Sequence, residues 1–413
     1  MDQTGQSGNA SILEMNDGEI DDAPYLGDLV QRMGVVRRSI HREPETAFTE
    51  RRTAAMVADR LETLGVEVHR GIGTTGVVGL LKQGTGPRSI GLRADMDALF
   101  TQEENTFPHC SIQAGKFHGC GHDGHTAMLL GAAERLALHG RFDGTVVFIF
   151  QPAEENEGGA AAMIAEGLFD RFDVDAVYAI HNGPGLPLGS FAICPGPIMA
   201  AFDKFEITVT GSGTHAGIPH GGIDPIVVAS ELVSALQTVV SRTIDPVDRA
   251  VVSVTQIHSG DTWNVIPERA VIRGCTRSLG AGVRDGVERA MRRIADGVCA
   301  AHGARATFWF KRCYPATVNT PVETANAVAA AIDVAGAARV VSDMRPWMTS
   351  EDFGFMLECK PGAYMILGNG TDSAMLHNPH YDFNDGAIPT GIAYWTRLVE
   401  LELPTLPSRG TRP

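Results

Sequence analysis

SIGLRADMD, residues 89–97, sets an apolar run directly against two carboxylates. A short apolar run bounded by helical stretches reads as a strand buried on both faces of a parallel sheet. The same texture recurs at VVGLL (77–81), VVFIF (146–150) and AVYAI (176–180). Apolar residues recur at helical spacing over 26–64, and a helix is expected near 124–138. Apolar strands alternating with helices predict an α/β fold around a largely parallel sheet.

Ligands of such sheets gather beyond the carboxyl ends of the strands, and here those ends carry chemistry. SIGLRA runs into Asp95-Met96-Asp97, VVFIFQPA into Glu154-Glu155, AVYAI into His181, and AYMILGNG (363–370) is followed by His377. HGCGHDGH (118–125) stands just before the helix near 124–138, with Asp123 expected as its N-cap. Four elements thus deliver His, Cys and Glu to one sheet edge. Thiolate, imidazole and carboxylate in one place are metal-ligand chemistry, because each offers a lone pair and the anionic groups offset the ion's charge.

HExxH and paired CxxC signatures are missing, and so large a donor set suits two ions. Two adjacent carboxylates such as Glu154-Glu155 do not both ionise cheaply in a cleft unless cations sit beside them. One can bind metal while the other takes a proton from a water. The competing reading is an acidic helix start, and Cys120 alone reads as a small buried apolar residue. His118 and His125 are expected to support the ligands. Of Asp95 and Asp97, at most one is expected to face the cleft, with Asp97 chosen as the residue behind the ligands.

After PGP (195–197) the texture becomes strand, helix, strand, strand, helix, strand, the βαββαβ order of a ferredoxin-like split unit. The expected division is a flexible tail (1–24), a catalytic domain in two segments (25–197 and 314–403) interrupted by a lid or dimerisation domain (198–313), and a second tail (404–413). GSGTHA (211–216) looks like a dinucleotide fingerprint, but Pro219 interrupts any helix after it, so no nucleotide site is expected.

Composition excludes other classes. Lys+Arg 34 against Asp+Glu 49 gives a net charge of −15, which disfavours nucleic acid and anionic lipid as partners. No apolar stretch approaches the ~20 residues of a membrane span. Seven scattered cysteines argue for reduced thiols and a cytoplasmic location.

With these residues in place, the chain resembles the M20 metallopeptidase and aminoacylase family, in its subgroup of hippurate hydrolases and auxin–amino acid conjugate hydrolases. The matching stretches run in order from HREPE (41–45) through LRADMDAL (92–99), CGHDGHTAMLLGAA (120–133), FQPAEE (150–155), AIHNGP (179–184), GTHAGIPHGGIDPI (213–226), NVIP (264–267) and SEDF (350–353) to LHNPHYDFND (376–385). The resemblance implies a two-metal catalytic domain with an inserted lid or dimerisation domain. By motif it implies Cys120, His122, Glu155, His181 and His377 as ligands of two divalent ions (zinc, or manganese, cobalt or nickel) and Glu154 as general base. His215 and Asn264 match lid residues that reach a neighbouring subunit's site in a homodimer or larger assembly. Arg277 occupies a lid position suited to a substrate carboxylate. The implied reaction is hydrolysis of N-acyl amino acids, with a peptidase or a non-catalytic binding protein as alternatives. Gly119 and the segment NTFPHCSIQAGKF (105–117) depart from the usual pattern and bear on substrate preference.

Overall fold

Strand Ser89–Asp95 lies inside an eight-stranded sheet whose order is Glu67–Ile72, Gly76–Gln83, Gly144–Gln151, Ser89–Asp95, Ala176–Pro184, Gly362–Gly370, Phe191–Ala192, Val340–Val341. The computed structural model describes residues 23–155 and 157–405. The four middle strands run parallel, and the flanking Gly76–Gln83 and Phe191–Ala192 pair antiparallel to their inner neighbours. Burial explains the apolar runs: every residue of Ala176–Pro184 is buried, as is all of Ser89–Asp95 except its first. A strand covered on both faces has no polar side to alternate with.

Helices Ala23–Arg42, His122–His139 and Ile388–Glu402 pack on one another, and the last two also touch the sheet. Their approach is close. A Cβ on Gly391 would lie 2.1 Å from the Met128 sulfur, and one on Gly131 would lie 2.4 Å from Ile392. Of the expected N-terminal tail, only residues 23 and 24 lie within the described residues, and they open the first helix. Of the second tail, 404 and 405 are described.

A separate four-stranded antiparallel sheet has the order Ala250–His258, Arg269–Ser278, Ala201–Thr210, Arg305–Tyr314. Helices Pro225–Thr238 and Ala281–Ala301 cover one of its faces over a core of Phe205, Ile207, Val209, Leu232, Ile272 and Met291. This strand order with two helices on one side is the ferredoxin-like arrangement that the βαββαβ order predicts. Pro225 stands in the first turn of its helix, and Asp224 caps it by accepting from the Ile226 amide at 2.9 Å. The chain enters this unit through Gly196–Met199 and leaves it through Thr317–Asn319, and these two segments pair as antiparallel strands. The GSGTHA stretch supplies one half of a two-stranded ladder, Thr214–His215 against Val265–Ile266.

Candidate metal centre

Ligand atoms of Cys120, Glu155 and His377 lie within 4.8 Å of one another, as do those of His122, Glu154 and Glu155, and those of Asp95, His122, His125 and His181. Cys120 Sγ is 3.5 Å from His181 Nε2, His377 Nε2 is 3.3 Å from Glu155 Oε1, and His122 Nε2 is 4.0 Å from that same oxygen. The six residues read from strand ends and the HGCGHDGH loop therefore converge at one sheet edge, with the Cys120 sulfur between the His181 and Glu155–His377 sides.

The glycines of the loop make the approach possible. Gly121 has φ +89°, and a Cβ on it would lie 2.3 Å from the Asn182 side chain and 2.6 Å from the Tyr381 hydroxyl. Gly119 leaves room for the Phe117 ring, which a Cβ would meet at 2.4 Å. That contact accounts physically for the glycine at a position where the family pattern differs. The preceding segment, 105–117, is held by Glu103, which accepts from the Asn105 side chain at 2.9 Å and the Ser111 amide at 2.5 Å.

The imidazoles are oriented from behind. His122 Nδ1 lies 2.9 Å from the Asp97 carbonyl oxygen, and His181 Nδ1 lies 2.8 Å from that of Asn182. Each carbonyl accepts a hydrogen bond from Nδ1–H and so favours the tautomer whose Nε2 lone pair is free, the disposition of a histidine that binds metal. The donor set fits a cation on a further observation: His122 Nε2 is buried without a hydrogen-bond partner among the described residues, and it faces carboxylate oxygens of Asp95 at 3.6 Å and Glu155 at 4.0 Å. A buried polar atom without a partner costs about 1–3 kcal/mol, so this nitrogen calls for a ligand.

Electrostatics point the same way. Burial works against a charged His122, yet the charge of Asp95 and the hydrogen bond to Asp97 push its pKa up to about 10, so the pocket favours positive charge at this ring. Burial, then the Glu155 and Glu154 charges, drives the Cys120 thiol well above its ordinary range, so a thiolate there needs a cation beside it. The adjacent glutamates are driven apart. Burial followed by the charges of Glu351, Glu155 and Asp352 raises the Glu154 carboxyl well above the usual range. Burial would raise Glu155 too, but its hydrogen bond with His377 and the charge of His122 outweigh that and hold it below. Two neighbouring carboxyls with pKa values moved in opposite directions are equipped for different tasks.

Asp97 sets the turn that presents this pair. Its Oδ1 accepts from the Glu154 amide and its Oδ2 from the Glu155 amide, each at 3.0 Å, while its Oδ1 lies 3.3 Å from His122 Nδ1. Ala153, just before, sits at φ +54°, a conformation an alanine adopts only when its surroundings enforce it. The Ala153 amide donates to Glu50 Oε1 at 3.0 Å. Asp97→Ala is expected to weaken metal affinity by about 10–100-fold. A metal-buffered titration checks this, and unchanged affinity would remove Asp97 from its supporting role.

Two expectations need correction. Asp123 does not cap the helix, which starts at His122 after Gly121; the Asp123 carboxylate is buried at 2.9 Å from His41 Nδ1 and 3.4 Å from Arg37. Nor does only one of Asp95 and Asp97 serve the cleft. Residues i and i+2 of an extended chain share a face, and Asp95 lies 2.6 Å from His125 Nδ1 and 3.6 Å from His122 Nε2. His125 accepts from the Asn182 amide at 3.0 Å through its other nitrogen, so it links the strand carrying His181 to Asp95. His118 is buried with both ring nitrogens unpartnered among the described residues, and burial lowers its pKa to about 3.

Other participants carried no role in the sequence reading. Fully buried Arg93 donates to Asp95 (2.8 Å), Glu351 (2.9 Å), Asp352 (3.0 Å) and Gln151 (2.8 Å). Asp352 returns its amide to Glu154 Oε1 at 3.3 Å, and the Tyr314 hydroxyl donates to the Glu154 carbonyl at 2.6 Å. An arginine inside SIGLRA was the available signal, since a charge in a buried strand must find partners.

The residues read from the second sheet's unit lie elsewhere. His215 and Asn264 come together, both exposed, with the Ala216 amide donating to the Asn264 carbonyl at 3.0 Å and the Gly217 amide to His215 Nδ1 at 3.0 Å. His215 is in none of the donor groups that make up the metal-site cluster among the described residues. Arg277 stacks on Phe202, 4.3 Å from its ring centre, and donates to Ser350 Oγ at 2.8 Å, beside Glu351.

Comparison with known proteins agrees with this geometry. The hippurate hydrolase of Campylobacter jejuni is 41% identical over 378 residues, covering 91% of this chain and 97% of that protein. An N-acetylcysteine deacetylase of Bacillus subtilis is 38% identical over 379 residues, covering 90% and 97%. Among solved structures, the Bacillus subtilis protein YXEP, a dinuclear metal-binding peptidase from the M20 family, superposes with a TM-score of 0.81 at 32% identity, covering 92% of this chain and all of that one. Residues 91–401 match the sequence profile of peptidase family M20/M25/M40, and the chain belongs to that family of metal-dependent amide hydrolases.

Proposed function

We propose that this protein hydrolyses N-acyl amino acids to a carboxylic acid and a free amino acid, with Glu154 as general base. The observation that carries the reading is the opposed pair Glu154 and Glu155 inside a Cys120–His122–His181–His377 cluster. It is supported by relatives whose names are hippurate hydrolase and N-acetylcysteine deacetylase.

Cys120, His122, Glu155, His181 and His377 would hold two divalent ions, which when bound lower the pKa of a water and polarise the amide carbonyl. Thiolate and imidazole donors suit zinc, cobalt or nickel, and the carboxylate also admits manganese. Glu154, made a stronger base than an exposed carboxylate by burial and the charges of Glu351 and Glu155, takes the proton of the attacking water and returns it to the departing amine. Asp97 and Asp352 keep that carboxyl in place through the backbone amides of the turn and the contact to Oε1. Arg277 offers a planar fork to the substrate's α-carboxylate.

The unit at 198–313 acts as lid and dimerisation domain, in a dimer where the exposed His215 and Asn264 of each chain serve the partner's centre. His215 then stabilises the oxyanion, a contact whose loss costs about 3–4 kcal/mol. Mixing His215→Ala with Glu154→Gln protein should restore activity that neither has alone, as one intact composite site forms per mixed dimer. No restoration would mean that His215 serves its own chain. The reaction itself is tested by assaying zinc-, cobalt-, nickel- and manganese-loaded protein on N-acyl amino acids varied at both ends and on dipeptides. Turnover of the acyl amino acids supports the proposal, and turnover confined to dipeptides contradicts it.

A further inference from the structure

Among the described residues, helices pack on one face only of the four-stranded sheet. On the other, Lys204 of the strand Ala201–Thr210 stands directly opposite Lys311 of the neighbouring Arg305–Tyr314. Both side chains are exposed. Like charges placed directly across a ladder repel and destabilise it, and neither lysine has a carboxylate within ion-pair distance among the described residues. Of the cations around them, Arg273 is paired with Glu206, Arg284 with Asp203, and Arg312 with Asp285 and Glu288, whereas Arg277 of the same sheet, like the two lysines, has no carboxylate partner among the described residues and rests on Phe202 and Ser350. A chain of net charge −15 thus leaves several positive charges of this sheet uncompensated, two of them side by side.

Position gives the pair a use. Two residues along the same strand face, Phe202 is paired with Tyr314 on one side and Arg277 on the other. That row touches the catalytic segment, through Tyr314 to the Glu154 carbonyl and through Arg277 to Ser350. The Lys204 ammonium lies 5.5 Å from the centre of the Phe202 ring on which Arg277 also stacks. Successive same-face rows of a strand are about 7 Å apart, so the lysines stand one row beyond the guanidinium assigned to the α-carboxylate.

We infer that Lys204 and Lys311 form an anion subsite for a second carboxylate of the substrate, which makes acidic conjugates the preferred substrate class. The inference rests on the N-acyl amino acid reading and specifies its substrates. The second carboxylate belongs either to the amino acid side chain or to a dicarboxylic acyl group, and each source has a neutral isostere.

The test compares kcat/KM for N-benzoylglutamate against N-benzoylglutamine, and for N-succinylglycine against its succinamoyl counterpart, using metal-loaded wild type and the double variant Lys204→Gln, Lys311→Gln. At least one acid should be preferred over its amide by about tenfold or more in wild type, as a charge-assisted contact gives, and the pair showing this names the source. In the double variant that ratio should fall towards one, through KM rather than kcat, because a group remote from the scissile bond contributes uniform binding. Raising the salt concentration should shrink the wild-type ratio as well. Acid-to-amide ratios near one in wild type for both pairs, or a ratio unmoved in the double variant, overturn the subsite while amide hydrolysis stands. Failure to cleave any of the four compounds, or N-benzoylglycine, overturns the hydrolase reading and the subsite together.

Discussion

Glu154→Gln should lower turnover by about 10³-fold or more while the protein keeps its metal, since general-base catalysis is worth about 10²–10⁴-fold and the amide preserves the shape of the side chain. The choice of substitution matters because Glu154 shares a cluster with His122 and Glu155 as well as contacting Asp352. A ligand and a base would both be inactivated by the change, but only a ligand would cost bound ions. Parallel measurement of kcat and metal content separates them. Retained activity would show that the base is another residue, and loss of one ion per chain would make Glu154 a ligand. The reverse substitution pattern is expected at Glu155, whose carboxyl is held ionised by His377 and His122 against the effect of burial.

Arg93→Met should be the most damaging change to stability outside the metal cluster. The guanidinium is wholly buried and bridges Asp95, Glu351 and Asp352, which come from two distant parts of the chain. Methionine fills a similar volume but removes the guanidinium that Asp95, Glu351 and Asp352 share, and breaking a buried ion pair from one side costs about 3–5 kcal/mol. Arg93→Lys, which keeps one charge but loses the fork to several partners, should fall between the two. Urea unfolding gives the comparison, read as a shift in midpoint at constant slope. A loss below about 1 kcal/mol, the level of an exposed pair, would mean that Arg93 does not hold this cluster together.

The parts of this molecule legible in the sequence share a physical property: they depend on local pattern. A strand buried on both faces must be apolar throughout, so SIGLRA and AVYAI identify themselves, and whatever follows them lands at the ligand-bearing edge of a parallel sheet. Cys120, His122, Glu154, Glu155, His181 and His377 were singled out by that reasoning together with the family motifs, and the fold brings their side chains together at that edge. The βαββαβ order announced the second sheet in the same way.

Arg93 was not assigned because its partners Glu351 and Asp352 lie 258 and 259 positions away, and no local pattern carries a pairing of that range. The Asp123 expectation failed for a related reason. An aspartate beside a helix start is a cap by local propensity, but here the tertiary partners His41 and Arg37 claim its carboxylate and a left-handed Gly121 opens the helix instead. Asp95 and Asp97 failed differently: residues two apart in an extended strand point the same way, so both were available to the cleft all along.

Elemental analysis of protein stripped by chelator, reloaded with excess zinc and desalted bears most directly on the central claim that one sheet edge grips a pair of cations. Two ions per chain are predicted, falling below two in His122→Ala and in His377→Ala. Occupancy near zero in the wild-type chain, or two ions retained in both variants, would contradict it.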